Sequence, residues 1–389
     1  MNKLFLGQPT MQLVLRPGII DLTWGHPDPH LLQVNALRDA AAEAFAQAGA
    51  DLLGYGNERG PAALRGWLAD RITTAEARTP TPAELMLTGG SSAALDQICT
   101  LLTQPGDVVF VESPTYHLAV RILRDHPLEL RPIPVDADGM QVDRLAEELE
   151  QLRHGGRQAR MLYTIPTFHN PTGTSLSSAR RRRLIELARD HALLIVEDDV
   201  YRELAFDTQA LPSLWALANG HGVIRLGSFA KSVAPGLRLG WMTGPAELID
   251  RIAGSGVLDS GGGSNHFTAM IMATFCSAGH YDAQVEHLRS NYRMRRNALL
   301  AALGESLPPQ VQVYAPGGGF FVWVTLATGS DSTALLPIAE AHGVAFLPGQ
   351  RFHIDGRGRE TLRLAYSLYP PDALREAARR LAAAVVQVM

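Results

Sequence analysis

Residues 192–201 read Ala-Leu-Leu-Ile-Val-Glu-Asp-Asp-Val-Tyr, a short apolar run that ends in three acids. A run this short and continuous suits a strand covered on both faces. Comparable runs occur on either side, over 84–88, 107–112, 128–133, 160–165, 223–228 and 239–243. Amphipathic segments separate them, such as Ser178–His191, where Leu184, Ile185, Leu187 and Ala188 supply an apolar stripe. This alternation predicts an α/β protein whose large domain holds a mainly parallel, seven-stranded sheet sandwiched by helices. A ligand site is then expected at the carboxyl ends of the strands.

Beyond residue 245 the pattern changes. A long helical stretch covers 281–302, and runs at 319–326, 344–347 and 361–365 alternate with helices near 332–342 and 371–388. These imply a smaller C-terminal α/β domain, with Gly and Pro clusters at 308–309 and 316–319 bracketing its entry. The expected division is an N-terminal arm (1–35) belonging with the small domain, a large domain (36–290) and the small domain (291–389).

Composition narrows the function. With 389 residues, 46% of them hydrophobic, the chain can bury a large core. A net charge of -4 argues against a nucleic-acid partner, since the one basic run, Arg180–Arg183, reads as a solvated helix face. Cys99 and Cys276 are the only cysteines and have no metal-binding spacing, so neither a disulfide framework nor a metal site is expected. No stretch has the length of a membrane span or the form of a secretory signal, and the expected location is cytoplasmic.

Residues suited to chemistry gather at the ends of the apolar runs. The stretch GSFAKSVAPGLRLG (227–240) embeds Lys231 among Phe229, Ala230, Val233, Ala234 and Pro235. A lone lysine is ordinarily a solvated charge. An apolar setting instead lowers the amine pKa and favours the neutral nucleophile that imine formation requires. Lysine is also scarce: only Lys3 and Lys231 occur, and Lys3 lies on a terminus expected to fray.

Four other stretches invite a similar weighing. In VEDDVY (196–201) the acids either cap a following turn or include a buried carboxylate that needs a partner. In PTFHNPTG (166–173) a plain turn accounts for Pro171 and Gly173 but gives no reason for Asn170, which the following proline biases to project from the strand end. LTGGSSAAL (87–95) reads as strand, glycine turn and helix; its first amides can cradle a phosphate, while Ser91 or Ser92 can equally be a simple cap. ESPTY (112–116) ends in Tyr116, an aromatic placed for packing or for stacking on a flat ligand.

Together, the NPTG, EDDxY and SxxK motifs resemble the fold-type I pyridoxal-phosphate-dependent aminotransferases of class I and II. The likeness is strongest to the subgroup containing kynurenine and 2-aminoadipate aminotransferases, and it runs in family order from Gly25 to Arg363. It implies that Lys231 binds pyridoxal 5'-phosphate as a Schiff base and that Gly90, Ser91, Ser92, Ser228 and Arg238 surround the phosphate. Ser92 stands where many relatives carry Gln or Ala. By the same resemblance Asp198 pairs with the pyridine nitrogen, Tyr201 and Asn170 contact the phenolate oxygen, and Tyr116 stacks on the ring. Arg363, in LRLAYS, matches the ligand of the substrate carboxylate, a task suited to a planar fork of donors. Asn170 and Gly25, in TWGHPDP, match positions near the substrate, and Tyr55, in YGNERGPAALR, matches a tyrosine that crosses a homodimer interface. Glu197 and Asp199 are left as supporting or exposed, and His169 as supporting or structural.

The activity implied is transfer of an amino group between an L-amino acid and a 2-oxo acid through pyridoxal and pyridoxamine phosphate, with Lys231 moving the proton. Two alternatives have features of their own. A decarboxylase or lyase on the same scaffold would keep Lys231 and Asp198. A non-catalytic regulatory domain would need a DNA-binding segment ahead of it, and the short stretch before about residue 35 contains no basic helix.

Overall fold

The computed structural model describes residues 12, 15–207 and 209–388. Lys3 lies outside the described residues. Strand β1 (Ile20–Asp21) is followed by a large sheet made of β2 (Leu85–Thr88), β3 (Val108–Ser113), β4 (Glu129–Asp136), β5 (Gly139–Met140), β6 (Ala159–Thr164), β7 (Leu194–Asp198), β8 (Val223–Ser228) and β9 (Gly240–Thr243). Their spatial order is β2-β9-β8-β7-β6-β3-β4-β5. The centre of the sheet is parallel, whereas β9 runs antiparallel to both β2 and β8.

The sheet has eight strands rather than the expected seven. The addition is β5, two residues that fold back on Val135 and Asp136 through the two-residue turn Ala137–Asp138, with Gly139 (φ 89°) opening the strand. Strand alternation explains the apolar runs. Val108, Phe110, Leu162 and Ile195 enter the core on one face, while Val109, Val111, Met161 and Val196 enter the core on the other.

A four-stranded antiparallel sheet follows, with β10 (Gln312–Tyr314), β11 (Phe321–Thr325), β13 (Leu347–Pro348) and β14 (Thr361–Ala365) in the order β10-β11-β14-β13. The expected strand 344–347 divides in two: β12 (Val344–Ala345) pairs in parallel with β1, and only Leu347 and Pro348 join the small sheet. Phe346 is buried at the break. A third core lies beneath this sheet and takes in Leu22 and Leu31 from the N-terminal segment as well as the long helix His280–Ser306.

One expectation is overturned outright. The arginine run 180–183 is not a uniformly solvated face, because Arg181 is fully buried. Its guanidinium donates to the carbonyls of Pro166, Leu176 and Pro212 and to the Thr167 hydroxyl. The helical period explains the burial: Arg181 lies three and seven residues before Leu184 and Ala188, on the inward stripe. Among the described residues no helix is long and apolar enough to cross a membrane.

Candidate active site

Sheet register brings the motifs together. Ser228, at the end of β8, pairs with Gly240, which also pairs with Thr88 at the end of β2. The glycine turn 89–90 therefore emerges beside the strand that leads to Lys231. Gly90 (φ 98°) is itself the N-cap of the helix Ser91–Leu102, so neither Ser91 nor Ser92 is the cap; both occupy the first helical turn. A Cβ on Gly90 would lie 3.0 Å from Nη2 of Arg238, which leaves little room for any other residue. Arg238, the glycine turn, the Ser228 hydroxyl and the start of a 12-residue helix are gathered in one corner, and donors of this kind suit an anion.

Asp198, the last residue of β7, lies in the same cleft with its carboxylate buried. Its Oδ2 accepts a 2.7 Å hydrogen bond from the hydroxyl of Tyr163, while its Oδ1 has no partner. Burial raises this carboxyl to about 6; the Tyr163 hydrogen bond opposes the shift and neighbouring Asp199 adds to it. A buried carboxylate oxygen without a donor is costly unless a ligand satisfies it. A protonated ring nitrogen is such a donor.

Lys231 retains some access to solvent, as a residue lining an open cleft should, yet its amine is surrounded by protein. Burial lowers the amine to about 8; Arg363 and Arg238 push it further down, and Asp198 opposes them. Nζ donates to the carbonyl of Gly25 over 3.3 Å and lies 5.4 Å from the centroid of the Phe320 ring. Gly25 is closely held, since a Cβ there would fall 2.5 Å from Cζ of Phe321.

Arg363, on β14, is buried with its guanidinium near the rings of Phe321 and Phe352, at 4.1 and 4.8 Å from their centroids. Nη1 donates to Oδ1 of Asn170 over 2.8 Å and Nη2 to the carbonyl of Thr23, while Nε has no partner. Burial lowers Arg363 to about 10, so it remains a cation at neutral pH. Burial also raises the Tyr201 phenol, which keeps its proton beside Asn170 and remains a donor. Tyr116 precedes the helix His117–Arg124 and faces the charges of Asp198, Arg363 and Arg238.

Tyr55, expected to cross a homodimer interface, is 88% exposed. The option that Glu197 and Asp199 are exposed is corrected, for both are buried. His169 is also buried, with Nε2 3.2 Å from Glu112 and Nδ1 2.9 Å from the Thr172 hydroxyl, and so supports the NPTG turn. Sequence reasoning missed Tyr163 and the aromatic wall of Phe320, Phe321 and Phe352; each reads as ordinary core until a polar partner is seen.

The residues present fit pyridoxal phosphate: an anion corner at one end, an unpartnered acid oxygen, a partly dry amine and a buried arginine with a free donor. Comparison with known proteins agrees. Residues 17–381 match the family model described as aminotransferase class I and II. Aromatic-amino-acid aminotransferase 1 of Thermococcus litoralis is 35% identical over 97% of this chain and 91% of its own length. The 2-aminoadipate transaminase of Thermus thermophilus is 34% identical over 96% and 92%. Kynurenine aminotransferase of Pyrococcus horikoshii, solved with pyridoxamine phosphate, kynurenine and kynurenic acid, superposes with a TM-score of 0.90 at 34% identity, covering 96% of this chain and 92% of that one.

Proposed function

The chain belongs to the class I and II aminotransferases, and from that premise we propose how its residues divide the work of pyridoxal-phosphate-dependent amino transfer between an amino acid and a 2-oxo acid. The bound cofactor supplies a carbonyl that takes up the amino group and a ring that withdraws electrons from the substrate α-carbon. The chain's own part is to bind, orient and move a proton. Arg238, Ser228, Gly90, Ser91 and Ser92 hold the phosphate. Asp198 offers Oδ1 to the ring nitrogen, Tyr116 lies against the ring, and Tyr201 with Asn170 donates to the ring oxygen.

Lys231 would anchor the cofactor and would carry the proton at the substrate α-carbon. An amine lowered to about 8 supports this role, because both its neutral and charged forms are populated near neutral pH. Arg363 grips the α-carboxylate through its free Nε and the edge it shares with Asn170, which fixes the bond to be broken. Phe320, Phe321 and Phe352 keep water from this end of the cleft.

The observation that carries this reading is the pairing of a desolvated amine with a buried acid oxygen that has no donor. Reduction of the cofactor-loaded protein with borohydride should attach the label to Lys231, and Lys231→Ala should abolish the visible absorbance. Colourless protein with no trapped adduct would overturn the reading. Half-reaction screens with aromatic donors, kynurenine and 2-aminoadipate, the compounds in the relatives' names, address the substrate.

The working unit we propose is a homodimer that shares its sites. Its support is a set of exposed apolar side chains outside the cleft: Leu53, Tyr55 and Val257 are 70%, 88% and 79% exposed, and the part-exposed rings of Phe45 and Phe267 lie tilted against each other with centroids 5.9 Å apart. Tyr55 in this set would reach the partner's phosphate corner; light scattering that gives the mass of a single chain would refute the dimer. The division into an arm, a large and a small domain at residues 35 and 290 is part of this proposal, with the second boundary falling inside the helix His280–Ser306. The unpaired buried thiols of Cys99 and Cys276 suit a cytoplasmic location.

A further inference from the structure

We propose that Tyr163 is a positioning residue for the reaction: it clamps one oxygen of Asp198 and thereby commits the other to the cofactor ring. The proposal rests on the assignment of Asp198 as partner of the ring nitrogen.

Tyr163 lies on β6, opposite Val196 of β7, and its ring enters the same apolar layer as Val109, Val111 and Met161. The residue has no exposed surface. Phenylalanine would fill such a layer as well, and a hydroxyl without a partner there would be costly. The 2.7 Å bond to Asp198 Oδ2 accounts for the hydroxyl. An ionised carboxylate only accepts, so Tyr163 is the donor.

Two consequences follow from the geometry. With Oδ2 tethered, the carboxylate cannot turn about its terminal torsion, and Oδ1 stays where it has no protein donor. The bond also favours the ionised acid against the burial that opposes it. The other nearby acid, Asp199, spends its own charge on Arg202 and Arg225, which contact its Oδ2 at 2.6 and 2.9 Å. Tyr163 is thus the side-chain donor that orients Asp198.

Tyr163→Phe removes one atom and keeps the packing. The apo-protein is titrated with pyridoxal phosphate and with the analogue whose ring nitrogen is replaced by C–H, following cofactor binding and then the single-turnover rate with an amino donor. With pyridoxal phosphate, the variant is expected to bind the cofactor more weakly and react more slowly, each on the order of tenfold to a hundredfold, with the donor KM little changed. With the analogue, wild type and variant should agree within about twofold, because the contact served by Asp198 no longer exists. Equal losses with both cofactors would reduce Tyr163 to a structural role, and no loss with pyridoxal phosphate would end the proposal. Should wild type bind both cofactors equally well, the Asp198 assignment itself fails and takes the proposal with it. A cycle with Asp198→Asn gives an independent reading: Tyr163→Phe should add nothing to that variant's cofactor Kd, and a further loss would contradict the clamp.

Discussion

Replacing Lys231 with methionine should stabilise the cofactor-free protein at neutral pH while abolishing its activity. Burial lowers this amine from 10.5 to about 8. The folded protein therefore holds the proton less tightly than the unfolded chain does, and folding is penalised wherever the unfolded amine is charged. At about 1.4 kcal/mol per pH unit, the gap corresponds to roughly 3 kcal/mol. This penalty is complete below about pH 8 and fades as pH rises towards 10.5, where the unfolded chain also loses its proton. The side chain keeps some contact with solvent, so 3 kcal/mol is a ceiling. Loss of the hydrogen bond to the Gly25 carbonyl takes back about 1 kcal/mol. A net gain of about 1–2 kcal/mol remains. Spread over an unfolding entropy of about 2 cal/mol/K per residue, it raises Tm by about 1–3 °C. Calorimetry of the apo-proteins at pH 7 and pH 10 is the assay, and the advantage of Lys231→Met should shrink or reverse at the higher pH. No gain at pH 7, or a gain indifferent to pH, would refute the claim that the amine is held in a desolvating site.

Arg363→Lys should lower kcat/KM for amino donors by about tenfold to a hundredfold, since a point charge replaces a fork that binds Asn170 and keeps Nε free; single half-reactions followed by absorbance measure it. Gly90→Ala forces a side chain onto a φ of 98° and against Arg238, and the strain of about 1–3 kcal/mol should weaken cofactor binding by tenfold or more, read by titration of the apo-protein. Arg181→Met should destabilise the fold by about 3 kcal/mol or more, seen as a lower urea midpoint, because three carbonyls and a hydroxyl lose their common donor beside the NPTG turn.

The central strands of the large sheet, β3, β6 and β7, were legible because they are apolar toward both faces, a signal that survives without any knowledge of neighbours. Strands β1, β5, β10, β12 and β13, at two or three residues each, carry no such period and exist only through their partners. The arginine run misled for a related reason: four like charges in a row suggest a solvated face, yet the spacing to Leu184 and Ala188 places Arg181 on the stripe those residues define. At the site, Lys231, Asp198 and Asn170 stood out because their residue types clash with their local setting. Tyr163 did not, since a tyrosine in a strand needs no explanation until its hydroxyl is found on a carboxylate.

The three acids of VEDDVY show how one strand end keeps such clashes apart. Successive side chains of a strand alternate in direction, so Glu197 and Asp199 leave β7 on the side opposite Asp198. Glu197 accepts from the amides of Leu214 and Trp215 at a helix start, over 2.9 and 3.0 Å. Against the penalty of burial, Arg202 and Arg225 hold Asp199 below the usual carboxylate range, and both arginines also reach Glu76, at 3.3 and 3.1 Å. The backing network thus neutralises the acid next to Asp198 without spending a cation on Asp198 itself. Had either arginine been placed on the other side, Asp198 would be a satisfied ion pair with no oxygen left for a ligand. Its availability depends as much on where those two charges are kept as on the tyrosine that holds it.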